Sequence, residues 1–249
     1  GGSMKITLIG TSGGYQSSSR ACTSYLIQEE GKNIVVDLGP GSLANLQKYI
    51  KICEIDAIFL THYHYDHCSD LLPLIYAVSM QKSSGYQIKP ITLYCQNIDS
   101  SLSRLICESG SFIPIYIDST SIIDAFGLMV SFAYTKHAIP CLSMRFAGKD
   151  GKVFSFTGDC AYGCDEIGPI IDGSDLAIFD CGELDSSTAL IKNHMTPSNC
   201  FQLCKNHNVR KAILSHIIPH YDIETYEYEA SQFKDWNYII AYDGYTIDL

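Results

Sequence analysis

The sequence predicts a mixed α/β protein, and three observations support this fold class. Apolar runs of strand length alternate with stretches of helical length from one end of the chain to the other. Hydrophobic residues make up 46% of the 249 residues and charged residues 18%, which supports a buried core and excludes intrinsic disorder. Residues 4–249 show no repeat, low-complexity tract or linker, so we expect one compact domain there.

The start of the chain and its cysteines indicate a cellular location. Gly1, Gly2 and Ser3 precede Met4 and resemble the remnant of an expression tag, so they are left out of the fold prediction. No apolar run reaches the 18 residues of a membrane span, and no secretory signal is recognisable. The eleven cysteines are odd in number and scattered, as is typical of reduced thiols. We therefore expect a cytoplasmic protein with no membrane partner.

In the first half of the chain, apolar runs rich in Ile, Val and Leu predict strands, and amphipathic stretches predict helices. Ser42 is placed to cap the first helix, and Pro73 should lie in the first turns of the second. The predicted strands are Lys5–Ile9, Thr23–Gln28, Asn33–Asp37, Ile55–Leu60 and Ile91–Cys95. The predicted helices are Leu43–Tyr49, Cys68–Met80 and Ile98–Glu108.

The second half repeats the alternation. The Asp150-Gly151 pair predicts a hairpin turn, because these residues tolerate positive φ. Thr196 followed by Pro197 is typical of a helix start. The predicted strands are Leu128–Tyr134, Ser143–Ala147, Val153–Phe156, Leu176–Asp180, Lys211–Leu214 and Tyr238–Ala241, and the predicted helices are Pro197–Asn206 and Asp222–Phe233.

The segment Thr61-His62-Tyr63-His64-Tyr65-Asp66-His67 contains a dense cluster of potential metal-binding side chains. It follows a predicted strand, where the sheet holds functional groups rigidly. In an extended chain His62, His64 and Asp66 point to one side, and the start of a helix would turn His67 towards them. Three imidazoles and a carboxylate suit Zn²⁺, Mn²⁺ or Fe²⁺ better than Ca²⁺.

One segment cannot close two metal sites, so further ligands are expected at other strand ends. Three residues fit: His137 after Leu128–Tyr134, Asp159 after Val153–Phe156, and His216 after Lys211–Leu214. Each alone could be an ordinary loop residue, but jointly they indicate one metal centre. Asp37, at the end of its strand, is placed either to bond a ligand imidazole or to lie in a turn.

The net charge of the chain indicates which classes of binding partner are expected. Lys plus Arg total 17 and Asp plus Glu total 27, which gives a formal net charge of −10. Stable nucleic-acid binding needs an extended basic face, so it is not expected. A phosphate-bearing substrate is still compatible, because a bound dication reverses the local field.

The His-x-His-x-Asp-His segment, followed by separate His, Asp and His positions, resembles the signature of the metallo-β-lactamase fold superfamily over Lys5 to about Pro219. The resemblance implies a four-layer αββα sandwich with two divalent metal ions, zinc in the first place and manganese or iron as alternatives. One ion would be held by His62, His64 and His137. The other would be held by Asp66, His67 and His216, and Asp159 would bridge them.

Two further segments resemble the tRNase Z-like phosphodiesterase branch. One is the loop Ile9–Tyr15 with Arg20, Thr23 and Ser24 after it; the other is His194-Met195-Thr196-Pro197, which is similar to the His-x-Thr motif of that branch. The resemblance implies that Asp66 orients the attacking water. It also implies that His194 assists cleavage, as a general acid or as a substrate ligand.

The resemblance departs from the long members of the branch at one point. They insert a tRNA-binding arm between the positions that match His137 and Asp159, and here only 21 residues separate these positions. The sequence therefore resembles a short form that cleaves a small phosphodiester, such as a cyclic nucleotide, by metal-hydroxide attack. A tRNA 3′-processing endonuclease and a lactone or thioester hydrolase of the same fold stay open as alternatives, as does a homodimer.

Overall fold

The computed structural model describes residues 3–249, which divide into two compact units. The first unit runs to Ile117 and takes in Asp243–Asp248, and the second comprises Asp118–Tyr242 with Leu249. The expectation of one domain over residues 4–249 stays a prediction. Gly1 and Gly2 of the expected tag remnant lie outside the described residues.

Within residues 3–249 the chain forms fourteen strands and seven α-helices. The strands are β1 Lys5–Gly10, β2 Ser24–Glu29, β3 Lys32–Val36, β4 Ala57–Phe59, β5 Ile91–Cys95, β6 Phe112–Tyr116, β7 Ile122–Ala125, β8 Leu128–Tyr134, β9 Leu142–Ala147, β10 Val153–Phe156, β11 Leu176–Asp180, β12 Ala212–Ser215, β13 Tyr238–Ile240 and β14 Thr246–Asp248. The helices are α1 Ser42–Leu46, α2 Tyr65–Cys68, α3 Leu71–Ser83, α4 Ser101–Cys107, α5 Gly168–Ile171, α6 Pro197–Asn206 and α7 Ile223–Ser231.

The first unit is built on a seven-stranded sheet in the order β14-β1-β2-β3-β4-β5-β6. β1 pairs antiparallel with β2 and β14, whereas β3 to β6 run parallel. Apolar side chains from the sheet and from α3 form its core, including Leu71, Leu74 and Val78. Because β3 and β4 are parallel neighbours, the residues that follow them emerge at the same edge of the sheet.

The second unit is built on a seven-stranded sheet in the order β13-β12-β11-β10-β9-β8-β7. β7 to β10 form antiparallel pairs, and β10 to β13 are parallel. Its core includes Phe179 of β11, Leu214 of β12 and Tyr226 of α7. The carboxyl ends of β10, β11 and β12 lie side by side, so the residues that follow these strands are held next to one another.

The structure refines several predicted elements. The helix predicted over Cys68–Met80 is two helices, α2 and α3, with Pro73 in the first turn of α3 as expected. Ser42 does not cap α1, because Gly41 occupies the cap position with a φ of 84°. The Ser42 hydroxyl instead donates to the carbonyl of Gly39 at 2.6 Å. Among the described helices, none combines the length and apolarity that crossing a membrane would require.

Candidate metal centre

The histidine-rich segment lies at the edge where β4 ends and α2 begins. His64 is extended, with φ −64° and ψ 145°, and takes the cap position of α2, so the chain turns into the helix just after it. The side chains of His62 and His67 are fully buried, and Asp66 is 8% exposed. This is the strand end followed by a helical turn that the sequence predicted.

Asp37 organises the segment from the end of the neighbouring strand β3. Its Oδ1 accepts the backbone N–H of Thr61 at 2.8 Å, and its Oδ2 accepts the Thr61 hydroxyl at 2.7 Å and His67 Nδ1 at 2.6 Å. Burial raises the pKa of the Asp37 carboxyl, and His67 and Thr61 oppose that effect. Asp37 thus bonds the imidazole of His67, which is a predicted metal ligand. We call Asp37, Thr61, His62, His64, Asp66 and His67 the Asp37 cluster.

The hydrogen bonds around Asp37 determine the tautomers of two histidines. The Thr61 hydroxyl donates its proton to Asp37, so it must accept one from His62 Nδ1, which is 2.9 Å away. His62 Nε2 therefore carries a lone pair, and it lies 3.1 Å from His64 Nδ1. By the same argument the bond from His67 Nδ1 to Asp37 leaves a lone pair on His67 Nε2.

Asp66 connects the cluster to the glycine-rich loop after β1. The backbone N–H of Gly14 donates to Asp66 Oδ2 at 2.8 Å, and the same oxygen lies 3.4 Å from His67 Nε2. Gly14 has a φ of 74°, a conformation that glycine adopts readily. The loop after β1 thus holds a carboxylate of the cluster.

A second group of side chains lies at the strand ends of the second unit. Asp159 follows β10, and its Oδ2 lies 3.3 Å from His216 Nε2 and 3.7 Å from His137 Nε2. Asp159 is 2% exposed and His216 3% exposed. The three residues that the sequence predicted at separate strand ends therefore converge within this unit.

Asp180, the last residue of β11, belongs to this group of side chains, and the sequence did not single it out. Its Oδ2 accepts His194 Nδ1 at 2.7 Å and the N–H of Cys160 at 2.9 Å. Its Oδ1 accepts the N–H of Gly182 at 3.0 Å and lies 3.4 Å from His216 Nδ1. We call His137, Asp159, Asp180, His194 and His216 the Asp180 cluster; ligand atoms of Asp159, Asp180, His194 and His216 all lie within 4.8 Å of one another.

Gly182 makes this close packing possible. A Cβ at this position would lie 2.9 Å from His216 Nδ1, which is closer than real Cβ atoms approach their neighbours, and 3.1 Å from His194 Cγ, which is a tight contact. The residue must be small because two imidazoles and a carboxylate pack directly against its backbone.

His194 is anchored on both sides. Thr196 caps α6 and Pro197 takes the first helical position, as the sequence predicted, while the buried Met195 accepts the N–H of Glu183 through its carbonyl. The His194 ring centre lies 4.8 Å from that of His216, and its side chain keeps 23% of its surface exposed. His194 is thus held by Asp180 at Nδ1, and part of its ring is accessible to solvent.

The donor sets of the two clusters fit divalent transition metals. The Asp37 cluster supplies imidazole nitrogens with fixed lone pairs and one carboxylate, and the Asp180 cluster supplies imidazoles around the carboxylate of Asp159. Nitrogen and oxygen donors of this kind suit Zn²⁺, Mn²⁺ or Fe²⁺. The hydrogen bonds from His62 and His67 that end at Asp37 have the form that orients metal-binding histidines.

Residues 32–217 match the family described as the beta-lactamase superfamily domain. The chain belongs to this family. The match covers the whole Asp37 cluster and every member of the Asp180 cluster. It confirms the superfamily that the sequence resembles, and the chain is a hydrolase of the metallo-β-lactamase fold.

Known relatives agree with this assignment. The probable metallo-hydrolase YhfI of Bacillus subtilis is 26% identical over 220 residues, 88% of this chain and 89% of that protein. Human zinc phosphodiesterase ELAC protein 1 is 34% identical over 93 residues, which is 37% of this chain and 26% of that protein. Ribonuclease Z of Clostridium tetani is 24% identical over 86% of this chain and 88% of its own length.

Solved structures confirm the predicted fold. The crystal structure of YhfI matches with a TM-score of 0.92, covers 99% of both chains and is 24% identical in sequence. The crystal structure of the short form of human tRNase Z, ELAC1, matches with a TM-score of 0.77, covers 98% of both chains and is 23% identical. The roles predicted for individual site residues stay predictions at this point.

Proposed function

We propose that the protein is a dinuclear-metal phosphodiesterase that cleaves a small phosphodiester. The observation that carries the proposal is the His194–Asp180 pair, since it places an oriented imidazole beside the predicted ligands Asp159 and His216. Hydrolysis of a phosphodiester produces an alkoxide leaving group that needs a proton. A histidine held at Nδ1 by a carboxylate can supply one from Nε2.

The proposed ligand set follows the superfamily resemblance. One ion would be bound by His62, His64 and His137, and the other by Asp66, His67 and His216, with Asp159 shared. Zinc is the proposed metal, as in the name of the relative ELAC protein 1, with manganese or iron as alternatives. The fixed lone pairs of His62 and His67 support this assignment, because metal ions bind the neutral, deprotonated nitrogen.

Two bound divalent ions would supply Lewis acidity, which activates water near neutral pH and stabilises charge on phosphoryl oxygens. The chain's own residues would arrange the reactants. Gly14 fixes the orientation of the Asp66 carboxylate, which can then accept a hydrogen bond from the attacking water. Asp37 and Asp180 keep the imidazoles from rotating, so the geometry is established before the substrate binds.

His194 would protonate the leaving oxygen. Its Nδ1 is occupied by Asp180 at 2.7 Å, so Nε2 is the nitrogen that can face the substrate. The Asp180 carboxylate would stabilise the imidazolium form that carries the proton. General-acid assistance of this kind typically contributes about 10²–10⁴-fold in rate.

The segment between His137 and Asp159 favours a small substrate over a tRNA precursor. Two paired strands, β9 and β10, and the turn between them occupy this segment. The net charge of −10 also disfavours a long polyanion. Because one relative is named ribonuclease Z, in Clostridium tetani, an RNA substrate must also be tested. Precursor tRNA is therefore included among the test substrates.

The test is a substrate panel with the zinc-loaded protein. We expect turnover of bis(p-nitrophenyl) phosphate and of a small phosphodiester such as a 3′,5′-cyclic nucleotide, with little activity on lactones and thioesters. Faster turnover of a lactone or a thioester than of every diester would overturn the proposal. Cleavage of precursor tRNA at a higher kcat/KM than small diesters would instead favour the endonuclease alternative.

The variant His194→Ala tests the observation on which the proposal depends. We expect its kcat on bis(p-nitrophenyl) phosphate to fall by about 10²-fold or more while zinc content is unchanged. His207→Ala is the matched control, because His207 ends α6 beside Asp172 and outside both clusters. Equal activity of His194→Ala and the control would contradict the assigned role.

A further inference from the structure

A polar cavity of about 300 Å³ in the first unit is lined in part by Cys107, which forms a pair with Cys95 that the proposed hydrolysis does not use. Its lining includes Tyr63, Asn97, Arg104, Cys107 and Glu108. Cys107 ends α4 and is half-buried at the wall of this cavity, whereas Cys95 ends β5 and is fully buried. A small polar molecule that enters the cavity would therefore meet Cys107 first.

The two thiols are close enough to react with each other. Their Sγ atoms lie 3.8 Å apart, and the residues are twelve positions apart in sequence. A disulfide needs an S–S distance of about 2.05 Å, so the two sulfur atoms must approach each other when the bond forms. Both residues end regular elements, and α4 starts at a capping box on Ser100, so the pair is held together by ordered backbone.

The surroundings make the two thiols unequal. The hydrogen bond with Cys95 lowers the pKa of the Cys107 thiol to about 7, from an ordinary value of 9.0. The same contact, together with burial, raises the pKa of Cys95. The nucleophile in thiol chemistry is the thiolate, so Cys107 is the thiol that reacts first and Cys95 is the resolving cysteine.

We propose that Cys107 is a peroxide-reactive thiol that forms an intramolecular disulfide with Cys95. In the first step the Cys107 thiolate attacks hydrogen peroxide; an S–O bond forms, the O–O bond breaks, and the released hydroxide takes up a proton as water. In the second step the Cys95 sulfur attacks the Cys107 sulfenic acid. The S–S bond forms, the S–O bond breaks, and the hydroxide leaves as water with the Cys95 proton. The two thiols are oxidised by two electrons, and the peroxide is reduced to two water molecules.

Tyr63 connects this pair to the histidine segment. Its hydroxyl lies 3.8 Å from Cys107 Sγ and donates to the carbonyl of Gln96 at 3.2 Å, and its backbone joins His62 to His64. Gln96 follows Cys95 and donates from Nε2 to the carbonyl of Thr61 at 2.9 Å. A disulfide that moves Cys95 and Cys107 together therefore displaces Tyr63 and Gln96, which connect the pair to the Asp37 cluster. On the basis of the proposed function, oxidation lowers phosphodiesterase activity.

Peptide mapping tests the disulfide directly. The full-length protein is treated with hydrogen peroxide, free thiols are alkylated, and tryptic peptides are compared before and after reduction; trypsin cleaves after Arg104, between the two cysteines. We expect one new crosslink, joining the peptides that carry Cys95 and Cys107. Unchanged thiols, or a first crosslink between other cysteines, would overturn the proposal.

Single variants separate the roles of the two sulfurs. Cys95→Ser should leave a sulfenic acid on Cys107 that dimedone traps, and Cys107→Ser should abolish the crosslink. The matched control is Cys53→Ser, since Cys53 is an exposed cysteine that should leave the crosslink intact. Circular dichroism checks that each variant is folded, and dimedone labelling of Cys95 in preference to Cys107 would overturn the assignment.

The coupling to the metal cluster has its own measurements. Oxidised protein should lose most of its activity on bis(p-nitrophenyl) phosphate, should release zinc faster to a colorimetric chelator, and should recover both properties with dithiothreitol. Full activity and slow zinc release in the fully crosslinked protein would overturn the coupling. The proposed phosphodiesterase function is tested on the reduced enzyme alone. A reduced enzyme without activity would therefore contradict that function, whereas an oxidised enzyme with full activity would contradict only the coupling.

Discussion

The Asp37 cluster and the Asp180 cluster both use a buried carboxylate to orient imidazole side chains, but they differ in how much of the network solvent can reach. Each places a buried carboxylate at the end of a strand, beside two imidazoles. Asp37 acts on His67 directly and on His62 through the Thr61 hydroxyl, and all three side chains are fully buried. Asp180 bonds His194 Nδ1 at 2.7 Å and lies 3.4 Å from His216 Nδ1, and part of the His194 ring is exposed.

This difference indicates that the two clusters have different roles, one in metal binding and the other in proton transfer. A fully enclosed network keeps ligand nitrogens deprotonated and immobile, which favours binding of a metal ion. A network that ends at a solvent-accessible imidazole can also exchange a proton with a substrate. We therefore expect changes in the Asp37 cluster to affect metal retention first, and changes at Asp180 to affect the rate of the chemical step first.

The largest effect is expected for Asp37→Asn. An amide cannot accept all three hydrogen bonds that the carboxylate receives, so Thr61 or His67 loses its partner. Zinc affinity should fall about 10–100-fold, with a lower melting temperature and a matching loss of activity at limiting zinc. Metal titration and calorimetry measure both. Asp99→Asn, at an exposed carboxylate, is the control; wild-type zinc affinity in Asp37→Asn would contradict this role.

Asp180→Asn should have the next largest effect, and of a different kind. The amide nitrogen would face one of the N–H groups that now donate to the carboxylate, so His194 loses its fixed orientation. We expect kcat to fall about 10–100-fold with most of the zinc retained. Steady-state kinetics and metal analysis of the same sample separate the two properties. If Asp180→Asn lost as much zinc as Asp37→Asn, the two clusters would not differ in their effect on metal retention, which would contradict the proposed difference in their roles.

Gly182→Ala should have a smaller effect confined to the second unit. Its Cβ would push against His216 Nδ1 and His194 Cγ, so both imidazoles must shift by several tenths of an ångström. Misplacement on this scale costs roughly tenfold in kcat/KM. A pH–rate profile should show a changed acidic group while the melting temperature changes little. Unchanged kinetics would show that the cluster accommodates the extra methyl group.

The smallest effect is expected for Thr61→Val, which removes only the hydroxyl that links His62 to Asp37. A single hydrogen bond of this kind contributes about 0.5–1.5 kcal/mol, so zinc affinity should fall several-fold. Thr61→Ser keeps the hydroxyl and should behave like the wild type. If both variants bind zinc equally well, the His62 tautomer does not depend on Thr61.

The sequence predicted the Asp37 cluster better than the Asp180 cluster, and the reason is local. His62, His64, Asp66 and His67 lie within six consecutive positions, so their spacing on a strand end is visible without a structure. Asp180 closes an otherwise apolar strand, and nothing near it in sequence marks it as functional. Its strand-end position is the same feature that selected Asp159, and applying that rule to β11 would have found it.

The missed strands share a physical cause. β6 contains Pro114 and lies at the edge of its sheet, where proline is tolerated, and only Phe112 of this strand is fully buried. β7 and β14 are also edge strands, of four and three residues. Edge strands bury little apolar surface, so their hydrophobic pattern is weak, and only their pairing partners define them.

The pairing of β1 with β14 has a consequence for biosynthesis. Lys5 lies opposite Asp248, and Asp243 accepts hydrogen bonds from Thr11 and Ala21, so the first unit is completed by residues that leave the ribosome after Asp118–Tyr242 of the second unit. Until translation reaches them, β1 presents an open edge while the second unit is being made. A nascent chain stalled before residue 243 should therefore have an incomplete first sheet, and the loop that holds Asp66 would lack its support from Asp243.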